Sequence, residues 1–103
     1  MNKNWLNFLG IVFSAGALIS GEEMVVKAIQ GKKVHLVIIS EDISHNTYKK
    51  VTDKCRFYDT PYIQKAMSEE IGQALGKSFR KVIGITDKNF AKVLKNKISN
   101  SEG

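Results

Sequence analysis

The chain has 103 residues, 16 lysines and arginines against 10 aspartates and glutamates, and a formal net charge of +6. This length fits one domain, and a hydrophobic fraction of 43% can fill one core, which argues against wholesale disorder. A single cysteine and the lack of Cys/His clusters with zinc-ligand spacing exclude a disulfide scaffold and a structural zinc site. The positive charge suits an anionic partner such as RNA, DNA or acidic lipid.

Residues 5–19 are almost free of charge and allow two interpretations. They resemble a secretory signal peptide, because Lys3 precedes an apolar run that ends in small residues. They also predict a buried first helix, since apolar side chains recur at helical spacing at Trp5, Phe8, Leu9 and Val12. Cleavage would leave a basic remainder with one thiol, which suits an oxidising compartment poorly, so we favour the buried helix. The run is too short and too interrupted for a membrane span.

The rest of the chain alternates short strands with single helices. The pattern predicts strands at residues 17–20, 34–39, 62–63 and 82–86. It predicts that the next four helices begin at Ser20, Ser44, Ser68 and Asp87, with capping side chains at Ser20, Ser68 and Asp87. Glu23 gives the first of these helices a capping-box spacing, and Gly31 sits where its C-cap belongs.

Strands separated by single helices predict a sheet with helices on both faces. The nearly unbroken β-branched run at residues 34–39 is typical of a central strand that is covered on both sides. We therefore expect an α/β fold, a three-layer α/β/α sandwich formed by residues 1–98. Residues 99–103 are expected to be a frayed polar tail.

The sequence offers little for catalysis. His35 falls in the predicted central strand, where a structural histidine is commoner than a catalytic one. A dyad of His45 with Cys55 has little support, because Cys55 lies on the apolar stripe of its helix. Two of three adjacent carboxylate pairs fall in first helical turns, where they offset the helix dipole; the pairs are Glu22-Glu23, Glu41-Asp42 and Glu69-Glu70. We expect no enzyme, no catalytic residue, no cofactor and no metal site.

Basic residues are concentrated near the C-terminus. Residues 77–97 carry seven lysines and arginines against one acid, Asp87, whereas residues 1–31 nearly balance. Three of the seven bracket the loop of residues 76–81, in which Phe79 can stack on an unpaired base while its neighbours hold phosphates. Three others are interpreted as the solvated face of an amphipathic helix: Lys88, Lys92 and Lys95.

Four motifs, in this order and spacing, resemble the kink-turn RNA-binding superfamily typified by the archaeal ribosomal protein L7Ae. They are residues 20–23 (SGEE) followed by Lys27 and Ala28, residues 36–42 (LVIISED), residues 60–62 (TPY) and residues 71–76 (IGQALG). The first motif and residues 82–87 are similar to the bacterial branch, whose small ribosomal-protein relatives are typically encoded beside transcription and translation factors. The resemblance implies a mixed four-stranded sheet, and it uses the apolar N-terminal segment as the first helix.

The resemblance also implies a mode of binding. The family inserts the start of the second helix into the RNA groove beside sheared G·A pairs, and Gly21 and Lys27 match its close-approach glycine and its RNA-contacting lysine. Glu23 and Met24 depart from the family, which usually places Asn or Lys and then Glu or Gln at these two positions. A second contact region, the loop that covers an extruded base, falls on residues 77–81.

We therefore expect a cytoplasmic, ribosomal-protein-like protein that recognises kinked or bulged structured RNA, on ribosomal or other non-coding RNA. It is expected to be a monomer that binds no membrane, takes part in translation and associates with the ribosome. The alternative is a protein-interaction or ribosome-assembly module of the same fold with lost or altered kink-turn recognition. The candidate RNA-binding residues are Gly21, Glu22, Glu23, Met24, Lys27, Ser44, Lys77, Ser78, Phe79, Arg80 and Lys81.

Overall fold

The computed structural model describes residues 4–102 of the chain. Helices and strands alternate along it much as the hydrophobic pattern predicts. The elements are α1 (Asn4–Ser14), β1 (Leu18–Ser20), α2 (Glu22–Gln30), β2 (Leu36–Ile39), α3 (His45–Phe57), β3 (Tyr62–Gln64), α4 (Ser68–Ala74), β4 (Val82–Ile85) and α5 (Lys88–Glu102).

The four strands form one mixed sheet in the order β1-β4-β2-β3. Strand β4 runs antiparallel to both of its neighbours, β1 and β2, whereas β3 runs parallel to β2. All four residues of β2 and all four of β4 are buried. The predicted central strand is thereby confirmed, and the mixed four-stranded sheet agrees with the family resemblance.

Side-chain alternation along β2 separates the core into two halves. Leu36 and Ile38 pack with α1, α4 and α5, whereas Val37 and Ile39 pack with α2 and α3. Successive side chains of a strand point to opposite faces, so a run that is apolar throughout can support a helical layer on each side. This arrangement confirms the three-layer α/β/α sandwich.

The N-terminal apolar run forms α1 and lies in the core, as the buried-helix interpretation predicts. Trp5, Leu9 and Val12 are almost fully buried against the sheet and its helices. Phe8 contacts Phe90 of α5 edge to face, with ring centroids 5.7 Å apart. Among residues 4–102, no helix is both long enough and apolar enough to cross a membrane.

Two predicted helix caps are wrong, and backbone geometry explains the first. Ser20 ends β1, and Gly21, with φ 103°, occupies the N-cap position of α2 without a side-chain cap. Because the chain turns from strand to helix at this glycine, no capping box forms between Ser20 and Glu23. At α4 the N-cap position is Met67, and Ser68 is already helical.

Other predicted ends are confirmed. Gly31 is the C-cap residue of α2, and the side chain of Ser44 accepts a hydrogen bond from the Thr47 N–H at the start of α3. The Asp87 carboxylate accepts a hydrogen bond of 2.9 Å from the Phe90 N–H, as a capping residue should. Helix α5 continues to Glu102, so residues 99–102, which we expected in a polar tail, extend the last helix; residue 103 lies outside the described part.

Gly72 lets the loop of residues 76–81 pack directly on α4. A Cβ atom at Gly72 would overlap the carbonyl oxygen of Ser78 and lie 2.6 Å from its carbonyl carbon. The loop backbone is held there because the Lys77 N–H donates to the Gly72 carbonyl over 2.8 Å. A side chain larger than hydrogen at position 72 must therefore displace the loop.

We expect Gly72→Ala to lower the free energy of unfolding by about 1–3 kcal/mol, because the added methyl group overpacks a backbone contact. The matched control is Gly31→Ala, where φ is −85° and the nearest atom to the added Cβ is 3.6 Å away. Urea unfolding followed by circular dichroism measures both variants. A Gly72→Ala protein as stable as the Gly31→Ala protein would contradict the packing argument.

Candidate nucleic-acid interface

Two of the sequence-predicted regions meet at one end of the sheet. Here β1 and β2 end, β4 begins, and an open groove of about 550 Å³ runs between the starts of α2 and α3 and the loop before β4. We call it the loop groove. It is lined by Ser20, Gly21, Glu22, Ser44, Thr47, Phe79, Arg80, Lys81 and Val82.

The start of α2 is fixed to the sheet through its backbone. The Gly21 N–H donates to the Val82 carbonyl over 2.9 Å, and the Gly21 carbonyl accepts from the Val25 N–H over 3.0 Å. Because Gly21 offers no side-chain cap, the first-turn N–H groups of α2 stand at the groove without a capping oxygen. A helix N-terminus of this kind carries partial positive charge and favours an anion.

One of the two carboxylates at this helix start is already paired. The Lys50 ammonium of α3 lies 2.8 Å from the Glu22 carboxylate. The hydrogen bond and the attraction to Glu22 raise the pKa of Lys50, so the lysine stays charged. The ion pair offsets the Glu22 charge and ties the start of α2 to α3.

The remaining candidates on α2 lie beside the groove rather than in its lining. Glu23 and Lys27 are exposed and four residues apart, so they share one face of the helix. Met24 is 58% exposed, and its thioether can offer only weak acceptance to a polar partner. This face therefore presents one acid, one base and one soft apolar side chain.

The loop of residues 76–81 is held against α4 by backbone hydrogen bonds. Gly76 turns the chain with φ 71°, and the Arg80 N–H donates to the Ser68 carbonyl over 3.0 Å. The Lys77 ammonium sits 5.9 Å from the centroid of the Phe13 ring, on α1 and away from the groove lining. Phe79 is 62% exposed at the groove.

The Arg80 side chain bends back over its own loop. Its Nη1 donates to the Phe79 carbonyl over 2.9 Å and makes longer contacts of 3.4 and 3.5 Å with Ser78. A guanidinium has five donors in a fixed fork, so most of them are left for an anion in the groove. Together, Phe79, Arg80 and Lys81 give one wall of the groove an aromatic ring and two cations.

Asp42 helps to position the loop that forms this wall of the groove. Its carboxylate accepts hydrogen bonds from the Ser68 hydroxyl over 2.6 Å and from the Ser68 N–H over 2.9 Å. These two bonds lower the pKa of Asp42 to about 2. Since the Ser68 carbonyl in turn holds the Arg80 N–H, the Asp42 carboxylate positions the loop through Ser68.

The structure brings part of the predicted set together. In the groove lining are Gly21, Glu22, Ser44, Phe79, Arg80 and Lys81, whereas outside it are Glu23, Met24, Lys27, Lys77 and Ser78. Sequence reasoning missed Thr47, Lys50 and Asp42. A signal existed for Thr47, because its N–H and hydroxyl contact Ser44 at the usual capping distance of three residues.

The histidine–cysteine dyad is not formed. Cys55 is fully buried, and burial raises its thiol pKa to about 11, so little reactive thiolate exists at neutral pH. His45 is exposed at the first turn of α3, ten residues from Cys55, a separation of about 15 Å along a helix. His35 lies one residue before β2 and is half-buried. No group of three or more His, Cys, Asp or Glu among the described residues could hold a metal ion.

Comparisons with known proteins agree with this architecture. Residues 3–95 match the ribosomal protein L7Ae/L30e/S12e/Gadd45 family. The chain is 41% identical to the RNA-binding protein YlxQ of Bacillus subtilis over 87% of this chain and 90% of that protein. It is 42% identical to the RNA-binding protein YlxQ of Enterococcus faecium over 87% and 86% of the two chains.

Solved structures show the same fold. A protein of unknown function from Bacillus halodurans superposes with a TM-score of 0.91 and 41% identity, over 95% of this chain and 99% of that one. The 15.5 kDa RNA-binding protein of Giardia lamblia superposes with a TM-score of 0.76 over 99% and 91% of the chains. At 22% identity the second likeness bears on the fold alone.

The Asp42–Ser68 contact predicts an acid-dependent loss of stability. The folded-state pKa of about 2 lies below the ordinary value of 3.8, so the carboxylate stabilises the fold above about pH 4 and loses this effect as the pH falls towards 2. We expect Asp42→Asn to lower the free energy of unfolding at pH 7 and to reduce this acid dependence. Urea titrations between pH 7 and pH 2.5 measure both effects. The control is Glu41→Gln at the neighbouring exposed carboxylate, and identical pH profiles for Asp42→Asn and wild type would contradict the assignment.

Proposed function

This chain is a member of the ribosomal protein L7Ae/L30e/S12e/Gadd45 family, and we propose that it is a non-enzymatic protein that binds structured RNA through the loop groove. The single observation that carries the proposal is the convergence of the α2 N-terminus with Phe79, Arg80 and Lys81 in one groove. Separate parts of the sequence supply backbone donors, a stacking ring and cations. These are the groups that hold RNA phosphates and unpaired bases.

We further propose that the preferred RNA is a kinked or bulged helix of the kink-turn type, in ribosomal or other non-coding RNA. A duplex alone offers no unstacked base for Phe79, a residue that is 62% exposed. A bulge supplies such a base next to the phosphates that Arg80 and Lys81 can hold. The names of the bacterial relatives, RNA-binding proteins at 41% and 42% identity, support an RNA partner. Ribosome association, a role in translation in a bacterial cytoplasm and a monomeric state belong to the same proposal.

The start of α2 favours recognition by shape over base reading. Glu22 is held by Lys50, and Met24 offers no strong donor or acceptor to a base edge. Glu23 is exposed and can accept hydrogen bonds from guanine, and Lys27 lies on the same face for a phosphate. In the proposed complex, the helix start therefore approaches the RNA mainly through backbone N–H groups and Lys27.

We expect Arg80→Ala and Lys27→Ala each to weaken binding to a kink-turn RNA by about tenfold, since each removes a charge-assisted contact to phosphate. Each should also reduce the slope of log affinity against log salt by about one unit per lost phosphate contact. Fluorescence anisotropy with a labelled kink-turn RNA, over a series of salt concentrations, measures both quantities.

Two controls make this measurement specific. Lys33→Ala removes one exposed positive charge from a residue that does not line the loop groove, so it should leave the affinity nearly unchanged. A duplex of equal length without the kink should bind at least tenfold more weakly. Equal binding to both RNAs would overturn the kink-turn proposal while leaving RNA binding itself in place. Retained protein partners after nuclease treatment, with no RNA binding, would favour the alternative interaction module.

A substitution at Met24 is expected to strengthen RNA binding rather than weaken it. The residue is 58% exposed, so Met24→Gln should fold normally and place a polar group at the helix start. We expect about 3–10-fold tighter binding to the kink-turn RNA, corresponding to one added hydrogen bond. The comparison variant Met24→Leu keeps the apolar character and should bind like wild type. A Met24→Gln protein that binds no better than Met24→Leu would show that this position does not meet the RNA.

A further inference from the structure

A second groove of about 560 Å³ lies at the opposite end of the sheet, where β2 and β3 begin and β4 ends. His35, just before β2, donates its N–H to the Ile85 carbonyl over 2.8 Å, which places both residues at this end. We call it the lysine groove. The cations that line it are Lys32, Lys88, Lys92 and Lys95.

The charged side chains that line this groove are mostly positive. Three of its lysines come from α5 and the fourth from the turn after α2, and the only carboxylate in the lining is Asp59. Within residues 4–102, none of the four lysines forms an ion pair. Concave walls that carry charge of one sign focus the field and attract an anion of the opposite sign. The solvated helix face inferred from the sequence is therefore one wall of a cationic groove.

Two aromatic residues lie in or next to the lysine groove. Tyr58 lines the lysine groove and also the adjoining shallow depression that holds Phe57 and Lys54. Phe57 is 79% exposed, and its ring stands edge to face on Tyr58 with centroids 4.8 Å apart. An aromatic residue so exposed contributes little to the stability of the fold, because little of its surface is buried. It can instead serve as a platform on which any unpaired base can stack.

Cations that track a backbone, next to a ring that takes a base, are the combination used for single-stranded nucleic acid. We propose that the lysine groove binds a single-stranded RNA segment, with phosphates on the lysines and a base on Phe57. This goes beyond the proposed function and does not depend on it, because the two grooves lie at opposite ends of the sheet and share no residue. The molecule measures 31 × 27 × 27 Å, so one RNA can reach both ends.

The test uses the full chain and a fluorescein-labelled ten-nucleotide oligouridylate, which contains no kink or duplex. Anisotropy titrations across a salt series should give measurable binding for wild type, with a slope of about 0.7 per phosphate neutralised. The triple variant Lys88→Gln/Lys92→Gln/Lys95→Gln should lose at least about tenfold in affinity and about two units of slope. These three lysines are exposed, and circular dichroism verifies that the variant folds.

Variants of Phe57 distinguish the contribution of base stacking to binding from the contribution of charge. Phe57→Ala should weaken oligouridylate binding by about 5–20-fold without changing the salt slope, and Phe57→Trp should restore it. Lys33→Ala, which removes one exposed charge from a residue lining neither groove, should bind like wild type.

Arg80→Ala distinguishes this proposal from the proposed function. It should reduce oligouridylate affinity far less than the triple lysine variant does, because Arg80 lines only the loop groove. Loss of oligouridylate binding in Arg80→Ala, or full binding in the triple lysine variant, would overturn the proposal. The proposal would also be overturned if wild type did not bind the oligonucleotide. A further contradicting result is displacement of the oligonucleotide by an acidic peptide, combined with unchanged oligonucleotide binding by Phe57→Ala. A failure to prefer kink-turn RNA over a duplex would instead affect only the loop groove.

Discussion

The antiparallel pairing of β2 with β4 determines where both grooves lie. Leu36 pairs with Ile85 and Ile39 with Val82, which joins segments more than 40 residues apart in the chain. Ser40 extends the pairing at one end, since its N–H donates to the Lys81 carbonyl over 2.8 Å, and His35 extends it at the other. The residues that flank β2 and β4 therefore meet at each end of the strand pair, and one groove lies at each end.

Local periodicity predicts most of the fold, because burial repeats with the geometry of each element. The run at residues 34–39 predicts a strand covered on both faces, and Val37 and Ile39 indeed pack opposite to Leu36 and Ile38. The apolar stripe of α1 is likewise visible in the sequence and buried in the structure. Order and spacing of short motifs add the sheet topology, which no single stretch contains.

Features that depend on backbone geometry or on distant partners are harder to predict. Ser20 has the spacing of a cap, but the left-handed turn at Gly21 moves the helix start by one residue. Asp42 and Ser68 are 26 residues apart, and only the folded chain shows that one fixes the other. The lysines of α5 have a helical spacing that fits a solvated face, and only their position beside Lys32 makes them part of a groove.

The acidic start of α2 is the feature that most opposes an RNA partner, and the structure reduces its effect in two ways. Lys50 offsets Glu22 directly, at 2.8 Å. Arg80 and Lys81 stand in the same groove as Glu22, so an incoming phosphate meets their charge as well. Under the proposed function, the attraction is therefore carried by the loop, while Gly21 lets the helix start come close. Shape and phosphate contacts then dominate over base reading, because the groove wall that holds the cations has only an aromatic ring to offer a base.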